Sequence, residues 1–314
     1  MGFATQKRVS VVIPTYNCAQ YIAETLNSVL YQTRPPHEII IVDDGSTDGT
    51  GDIVRSFGNA VQWVQQTNQG VCVARNRGLA LSTGEFLCFL DHDDYWLPHK
   101  LQHQLDSFEA HPETGVVFTR FALWHPEQGS YPRPDQVAAP DDVLPPSDPA
   151  YSGWIYHQFL LDCWALTSTA MIRREALDRC GGFDPSLPYS EDWELWLRIS
   201  REFPFFKLDG ISTLYRQHPQ QGNRQLRAFD FRTSLLESAA ARWGMRSPDG
   251  RAVEASVFHA TLSRYHLHFA LHHMQSGSKR VALASLRKAW RHRPSHIKLP
   301  VLMVATLLGW RPGA

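Results

Sequence analysis

Residues 86–96 read FLCFLDHDDYW, five apolar residues followed at once by three aspartates packed around a histidine. A short apolar run bounded by charge reads as a strand buried on both faces. Upstream, VSVVIP (9–14) and EIIIVDD (38–44) are two more such runs, the second ending in Asp43, Asp44 and the turn GSTDGT. Between them AQYIAETLNSVLYQ sets Tyr21, Ile22, Thr25, Leu26, Val29 and Leu30 at helical spacing, with Pro35 and Pro36 beyond. A weaker repeat follows: a helix over 50–57, the strand VQWVQQ, a helix in GVCVARNRGLALSTG, and the strand EFLCFL. Strands alternating with helices predict an α/β fold with a mostly parallel sheet flanked by helices, whose ligand site lies at the carboxyl ends of the strands. Both acidic strand ends then fall on one edge.

Carboxylates crowded at one edge repel one another, and charge removed from water is costly unless paired or metal-bound, so a cation is expected there. In an extended chain Asp91 and Asp93 face one way and His92 turns aside. One or two carboxylates plus substrate phosphates is a common way of holding Mg2+ or Mn2+. Cysteine and histidine are not clustered with these acids, which argues against zinc at this edge. Asp94 reads as a cap for a helix in DYWLPHKLQHQLDSF. The chain has neither a G-x-G-x-x-G fingerprint nor a P-loop, and Arg75 and Arg77 in NQGVCVARNRG stand beside the same edge.

Four segments, VSVVIPTYN, IIIVDDGSTDGT, NQGVCVARNRGL and GEFLCFLDHDDYW, occur in this order over residues 9–96. Together they resemble glycosyltransferase family two, inverting nucleotide-sugar transferases of the GT-A fold. The resemblance implies that Pro14, Tyr16 and Asp44 line a nucleobase pocket, that Arg75 lies beside the base, that Asp91 reaches the ribose, and that Asp93 ligates a divalent metal, Mn2+ or Mg2+, on the diphosphate. It also implies a UDP-sugar as donor.

Residues 125–150 are rich in Pro, Asp and small residues and read as a long loop over the active face. DCWALTSTAMIRREAL returns to a strand and then a helix that Gly181 and Gly182 terminate. In YSEDWELWLRIS, Ser190 reads as a helix cap with Glu194 nearby, so Glu191 and Asp192 sit in a first turn whose dipole favours negative charge. Inverting transfer to a hydroxyl needs a carboxylate to take the acceptor's proton. The family resemblance assigns that role to the second acid of such a pair, Asp192, with Glu191 orienting acceptor or helix. Trp154, Trp164, Trp193 and Trp196 suit either sugar stacking or a core. YRQH (215–218) resembles a family element in which His218, helped by Arg216, approaches the metal or diphosphate. The Q-x-x-R-W signature of processive synthases is missing, which favours transfer of one sugar to a glycan or lipid-linked acceptor.

The family pattern ends near 220, giving expected divisions at 1–115 (nucleotide-sugar-binding half), 116–222 (acceptor-binding half) and 223–314 (C-terminal helical region). In the last, two amphipathic helices split by SGS resemble one helix-turn-helix unit of the tetratricopeptide type, carried by Ala282, Leu286, Ala289 and Pro294. The basic positions Lys279, Arg280, Arg287, Lys288, Arg291, Arg293 and Lys298 precede the apolar LPVLMVATLLGW. That pairing suits peripheral contact with an anionic membrane surface, the alternative being a helix docked on protein with a solvated basic face.

Composition bounds these readings. The 314 residues are 43% hydrophobic, enough for a substantial core, and 31 Lys plus Arg balance 31 Asp plus Glu, so no global field points to nucleic acid. Five scattered cysteines without a C-x-x-C pair read as reduced core thiols, and the N-terminus lacks a signal-peptide h-region. No apolar run reaches the roughly 18 residues of a spanning helix. A cytoplasmic location is expected, with peripheral attachment to the inner face of the cytoplasmic membrane. A nucleotidyltransferase would need a glycine-rich phosphate loop with lysine after the first strand, which IPTYNCAQY lacks. A non-catalytic nucleotide- or glycan-binding module, recruiting partners through its helical end, remains the alternative, and loss of an acid would be its mark.

Overall fold

The computed structural model describes residues 7–140 and 142–312. Two compact units divide the chain, one formed by residues up to 155 with 163–218 and the other by 156–162 with 219 onward. The second division therefore falls between 218 and 219, four residues ahead of the expected one.

The first unit is built on one eight-stranded sheet. Its strands are β1 (Val9–Thr15), β2 (Glu38–Asp43), β3 (Gln62–Gln65), β4 (Phe86–Phe89), β5 (Tyr95–Trp96), β6 (Val116–Trp124), β7 (Met171–Arg173) and β8 (Phe205–Arg216). The order is β3-β2-β1-β4-β7-β6-β8-β5, so the two expected halves at 1–115 and 116–222 share a single sheet. β1, β2, β3 and β4 pair in parallel, β7 runs antiparallel to β4 and β6, and β6 pairs parallel with β8. The chain moves from β1 outward to β2 and β3, then returns to place β4 on the other flank of β1. The strand order reverses between β1 and β4, the switch point at whose carboxyl ends an open α/β sheet usually takes its ligand.

Burial explains why these strands read as runs rather than alternations. Val11, Val12, Ile13, Ile40, Ile41, Val42, Leu87 and Cys88 are fully buried because helices cover both faces. On one face Ile22, Leu26 and Val29 of α1 (Ile22–Leu30) join Val9, Val11, Ile13, Ile39 and Ile41. α2 (Thr50–Ser56) adds Val54 to the same cluster. On the other face α3 (Val71–Leu81) lies so close to β1 that a Cβ at Gly78 would collide with Val12. Cys18, Cys72 and Cys88 are buried, in keeping with core thiols, whereas Cys163 and Cys180 are only partly buried. Burial pushes the Cys18 and Cys72 thiols up to about 12, which leaves them inert.

One local expectation fails just after β4. Asp94 caps no helix; the chain instead forms β5, paired antiparallel with β8, and α4 (Lys100–Ala110) starts only beyond Pro98. Side-chain propensity near Asp94 is overridden by the pairing of Tyr95 with Leu214 and of Trp96 with Thr213. The long segment after β6 holds the short helix α5 (Pro134–Val137). After β7 come α7 (Arg174–Cys180), ended by Gly181 at φ 85°, and α8 (Glu191–Glu202); α6 (Tyr156–Phe159) belongs to the second unit.

The second unit is otherwise helical: α9 (Phe231–Trp243), α10 (Ala255–Ser276), α11 (Lys279–His292) and α12 (Lys298–Leu307). α10 and α11 form the expected hairpin, with Gly277 and Ser278 at the turn, and Ser278 caps α11 through Val281 N. Ala282, Leu286 and Ala289 are fully buried against Ala270, Met274 and Leu299, as their spacing predicts. No helix among the described residues is long and apolar enough to cross a membrane.

Candidate active site

The parallel edge is assembled by loops that tie to one another. Asn17, in the left-handed region at φ 46°, accepts from Thr47 N at 2.8 Å and donates its own N–H to Ser46, while Asp48 accepts from Ala19 N at 3.1 Å. The loops after β1 and β2 thus brace each other, leaving Tyr16 exposed at the edge above buried Pro14. Asp44 is buried, with both oxygens engaged: Oδ1 accepts from Gln69 N (2.9 Å) and Gln66 Nε2 (2.7 Å), and Oδ2 from Gly70 N (2.8 Å). Its carboxylate therefore shapes the loop entering α3. Gly70 adopts φ 91°, which a side chain would resist.

After β4 the chain turns rather than running on extended. Asp94 N donates to Asp91 O at 3.1 Å, and Thr25 Oγ1 donates to the carbonyls of His92 and Asp94. The expectation that Asp91 and Asp93 face one way therefore fails, because the turn sends them to different partners. Asp91 accepts from Arg75 at 2.6 Å, while Asp93 Oδ2 lies 2.8 Å from His218 Nε2. His92 does turn aside, its Nδ1 reaching Pro14 O at 3.2 Å. Burial alone would raise Asp93, but the His218 contact and nearby His92 hold its carboxyl below the usual range. Asp94 goes the other way, pushed well up by burial and then by the charges of Asp93 and Asp91. It accepts from Ser168 Oγ (2.6 Å) and Arg216 N (3.2 Å), fastening β8 to the turn.

Arg75 joins this edge to α8. Its guanidinium, almost wholly buried, spans Asp91 and Glu191 at 2.6 and 2.7 Å and lies over the Phe183 ring. One cation between two carboxylates offsets their mutual repulsion, and its Nε remains a buried donor without a partner. Arg77, by contrast, is exposed and donates to Gln65 O, away from the acids.

Asp192 follows Glu191 in the first turn of α8. Ser190 occupies the cap position at φ 64° but makes no side-chain cap bond, and Glu194 pairs with Arg198 at 2.7 Å, so the expected capping arrangement is absent. A non-glycine residue in this conformation stores strain of about 1–3 kcal/mol directly before the acid pair. Asp192 Oδ2 accepts from Thr167 Oγ1 at 3.1 Å and Oδ1 from Trp193 N at 2.7 Å. Burial, followed by the neighbouring Glu191 charge, pushes its carboxyl up to about 7, against the pull of Arg75 and these hydrogen bonds. Two acids side by side thus sit in different settings, one held by a guanidinium and one raised toward neutrality by burial. Trp193 and Trp196 are buried, the latter donating to Ala165 O, and serve the core. Trp154 and Trp164 are only partly buried, and Trp164 packs on Tyr151.

Arg216 is buried as well. It donates to Asp93 O and Glu24 Oε2, both at 2.6 Å, and sits among the faces of Trp124, Tyr131 and Tyr21 at 4.0–4.8 Å. It organises the Asp93–His218 corner through backbone and ring contacts. Sequence reading missed Glu24, Tyr21 and Tyr131 here, and Thr167 and Ser168 beside the acids. None of them carries a local signal, since each comes from a segment distant in sequence: Tyr21 and Glu24 from the start of α1, Tyr131 from the segment after β6, and Thr167 and Ser168 from the turn before β7.

Asp93 and His218 offer a divalent cation one carboxylate oxygen and one imidazole nitrogen, a mixed pair. Neighbouring ligands of an octahedral ion sit about 3 Å apart for bonds near 2.1 Å, close to the 2.8 Å between Asp93 Oδ2 and His218 Nε2. Asp93 is held ionised, as a ligand must be.

A family model described as "Glycosyl transferase family 2" matches residues 10–181. The Escherichia coli UDP-Glc:alpha-D-GlcNAc-diphosphoundecaprenol beta-1,3-glucosyltransferase WfaP is 32% identical over 215 residues, 67% of this chain and 77% of that protein. Two uncharacterised glycosyltransferases of Rickettsia conorii and Rickettsia felis match at 31% and 30%, and the chain spans only 37–38% of their length. Among solved structures, Staphylococcus aureus TarS 1-349 in complex with UDP-GlcNAc superposes with a TM-score of 0.65 at 20% identity, over 96% of this chain and 92% of that one. The mannosyltransferase PcManGT of Pyrobaculum calidifontis, in complex with GDP-Man and Mn2+, gives 0.57 at 22% identity over 97% and 86%. The fold is the GT-A type with a helical C-terminal part, as the sequence implies.

Proposed function

Because the chain belongs to glycosyltransferase family 2, we propose that it moves one sugar, with inversion, from a nucleoside diphosphate sugar to a hydroxyl of a cell-surface glycan or its lipid-linked precursor. One observation carries this reading. Arg75 ties the acidic end of β4, at Asp91, to Glu191 beside Asp192, so a donor pole and a base pole share one buried guanidinium. Pro14 and Tyr16 supply the surface against which a base rests, and Asp44 sets the loop beside it. Asp91, paired with Arg75, would reach the ribose, and Asp93 with His218 would hold Mn2+ or Mg2+. Such an ion acts as a Lewis acid, neutralising charge that develops on the leaving diphosphate. Asp192 takes the acceptor hydroxyl's proton as its oxygen attacks the anomeric carbon, while Glu191, fixed by Arg75, orients the helix end. A UDP-sugar is the favoured donor, in keeping with the UDP-sugar named for WfaP and TarS.

The test is a nucleotide-release assay over UDP-, GDP- and dTDP-sugars with a lipid-linked glycan acceptor and Mn2+, followed by NMR of the product. The expected result is turnover of one donor class with inverted anomeric configuration. Retention would refute the direct-displacement role of Asp192.

The C-terminal helix supports peripheral membrane contact. Ile297, Val301, Val304, Leu307, Leu308 and Trp310 are exposed on or next to α12, close in sequence to Arg291, Arg293 and Lys298. An apolar face with a basic border suits an anionic bilayer. Co-sedimentation with vesicles containing phosphatidylglycerol is expected, and Val301→Asp with Leu308→Asp is expected to abolish it.

A further inference from the structure

The second unit contains a group of chemically matched side chains that the transferase reading does not use. Glu237 of α9, His266 of α10 and His292 at the end of α11 each place one ligand atom within 4.8 Å of the others. His266 is fully buried, and its Nε2 has no hydrogen-bond partner. Leaving a ring nitrogen dry and unpaired is costly, so something is expected to satisfy it.

The surroundings prepare that nitrogen to bind a cation. His266 Nδ1 lies 3.2 Å from Asp230 Oδ2, within ion-pair distance but outside hydrogen-bond geometry, so a small turn of the ring would let Nδ1 carry the proton and leave the Nε2 lone pair open. A carboxylate behind a histidine is the usual outer support of a metal-bound imidazole. The arrangement at His292 is different: its Nε2 is 3.2 Å from Glu237 Oε1, a hydrogen bond without metal, and its Nδ1 is 3.0 Å from His259 Nδ1. A cation entering between Nε2 and Glu237 would displace that proton to Nδ1, where His259 can accept it, and leave Nε2 as a second donor. The ring planes of His266 and His292 are nearly parallel at 18°.

We propose that Glu237, His266 and His292 bind one zinc-class divalent transition-metal ion that clamps α9, α10 and α11 together. Two imidazoles and a carboxylate are borderline ligands that favour such an ion over Mg2+, and the charges of Glu237 and Asp230 balance its own. Tetrahedral ligands on zinc sit about 3.4 Å apart, so closure needs a shift of about an ångström, which the partly exposed Glu237 can supply. The fourth position is left to solvent. The role is structural, because binding draws on three helices that are brought together only in the folded unit.

The test uses the full-length chain carrying Asp93→Ala, so that the proposed donor corner adds no metal of its own. Calorimetric titration with Zn2+ is expected to show one equivalent bound, and Zn2+ but not Mg2+ is expected to raise the thermal midpoint by several degrees. Asp230→Asn, which retains an N-cap residue for α9, is expected to weaken Zn2+ binding by roughly 10- to 100-fold. Glu237→Gln and His292→Gln, both at accessible positions, are expected to abolish the rise in midpoint. His266→Ala is avoided because it empties a buried site. Absence of saturable Zn2+ binding, or binding that survives both Glu237→Gln and His292→Gln, would overturn the proposal and leave the group as a stacked histidine cluster.

Discussion

Asp192→Asn is expected to cut sugar transfer by about 100- to 10,000-fold, the usual contribution of a positioned general base, with nucleotide binding nearly unchanged. Asparagine keeps one acceptor oxygen for Trp193 N and turns its amide NH2 toward the Thr167 hydroxyl, which can accept, but it cannot take a proton. The pH dependence follows from the same group. A carboxyl raised to about 7 is protonated below that pH, so wild-type transfer rises with pH through the window around 7 and then levels. The stability effect has the opposite sense. In the unfolded chain the group ionises near 3.9, so between about 4 and 7 the folded state holds more protons and stability falls as pH rises. Asp192→Asn removes that loss, and at pH 8 it is expected to be more stable than wild type by roughly 1–3 kcal/mol. Near pH 4 that difference disappears. Parallel activity profiles and thermal melts check both. Wild-type transfer by the variant would remove Asp192 from the base position.

Asp93→Ala is expected to lower kcat/KM by at least about 100-fold and to abolish the stimulation by Mn2+, since Lewis-acid support of a leaving diphosphate amounts to several kcal/mol. The substitution also strips His218 of its partner at 2.8 Å, while Arg216 keeps its bond to the Asp93 backbone carbonyl and to Glu24. The corner should therefore keep its shape, so that lost metal response and lost folding can be separated by a thermal melt. A variant that folds and retains Mn2+-stimulated turnover would assign the metal elsewhere.

The parts of the fold legible in the sequence were those set by local period. VSVVIP, EIIIVDD and EFLCFL could be read as buried parallel strands because both faces are covered, and the acidic ends of the last two named the edge before any pairing was known. Asp94 shows the limit. Its neighbours suggested a cap, but the pairing of Tyr95 and Trp96 with β8 decided its place, and that partner lies more than a hundred residues away. The DHDD segment was likewise read as extended, whereas Thr25 holds it in a turn through two hydrogen bonds. At the site, spacing put Glu191 and Asp192 in the first turn of a helix, and only the family resemblance implied a role for the pair. What sets them apart was not legible: Arg75 on one, Thr167 and burial on the other, all products of tertiary approach. Arg216 shows the same gap, since nothing in YRQH predicts a guanidinium buried among three aromatic rings and Glu24. The Glu237, His266 and His292 group spans three helices with no fixed spacing and left no trace in the sequence.

Calorimetric titration of the purified chain with UDP, GDP and dTDP, each with and without Mn2+, tests the central claim most directly. Saturable binding of one nucleotide, UDP on this account, only when Mn2+ is present, is the result expected of an acidic strand edge that holds a metal–diphosphate donor. Binding of none of the three with Mn2+ present, or equal UDP binding with and without Mn2+, would contradict it.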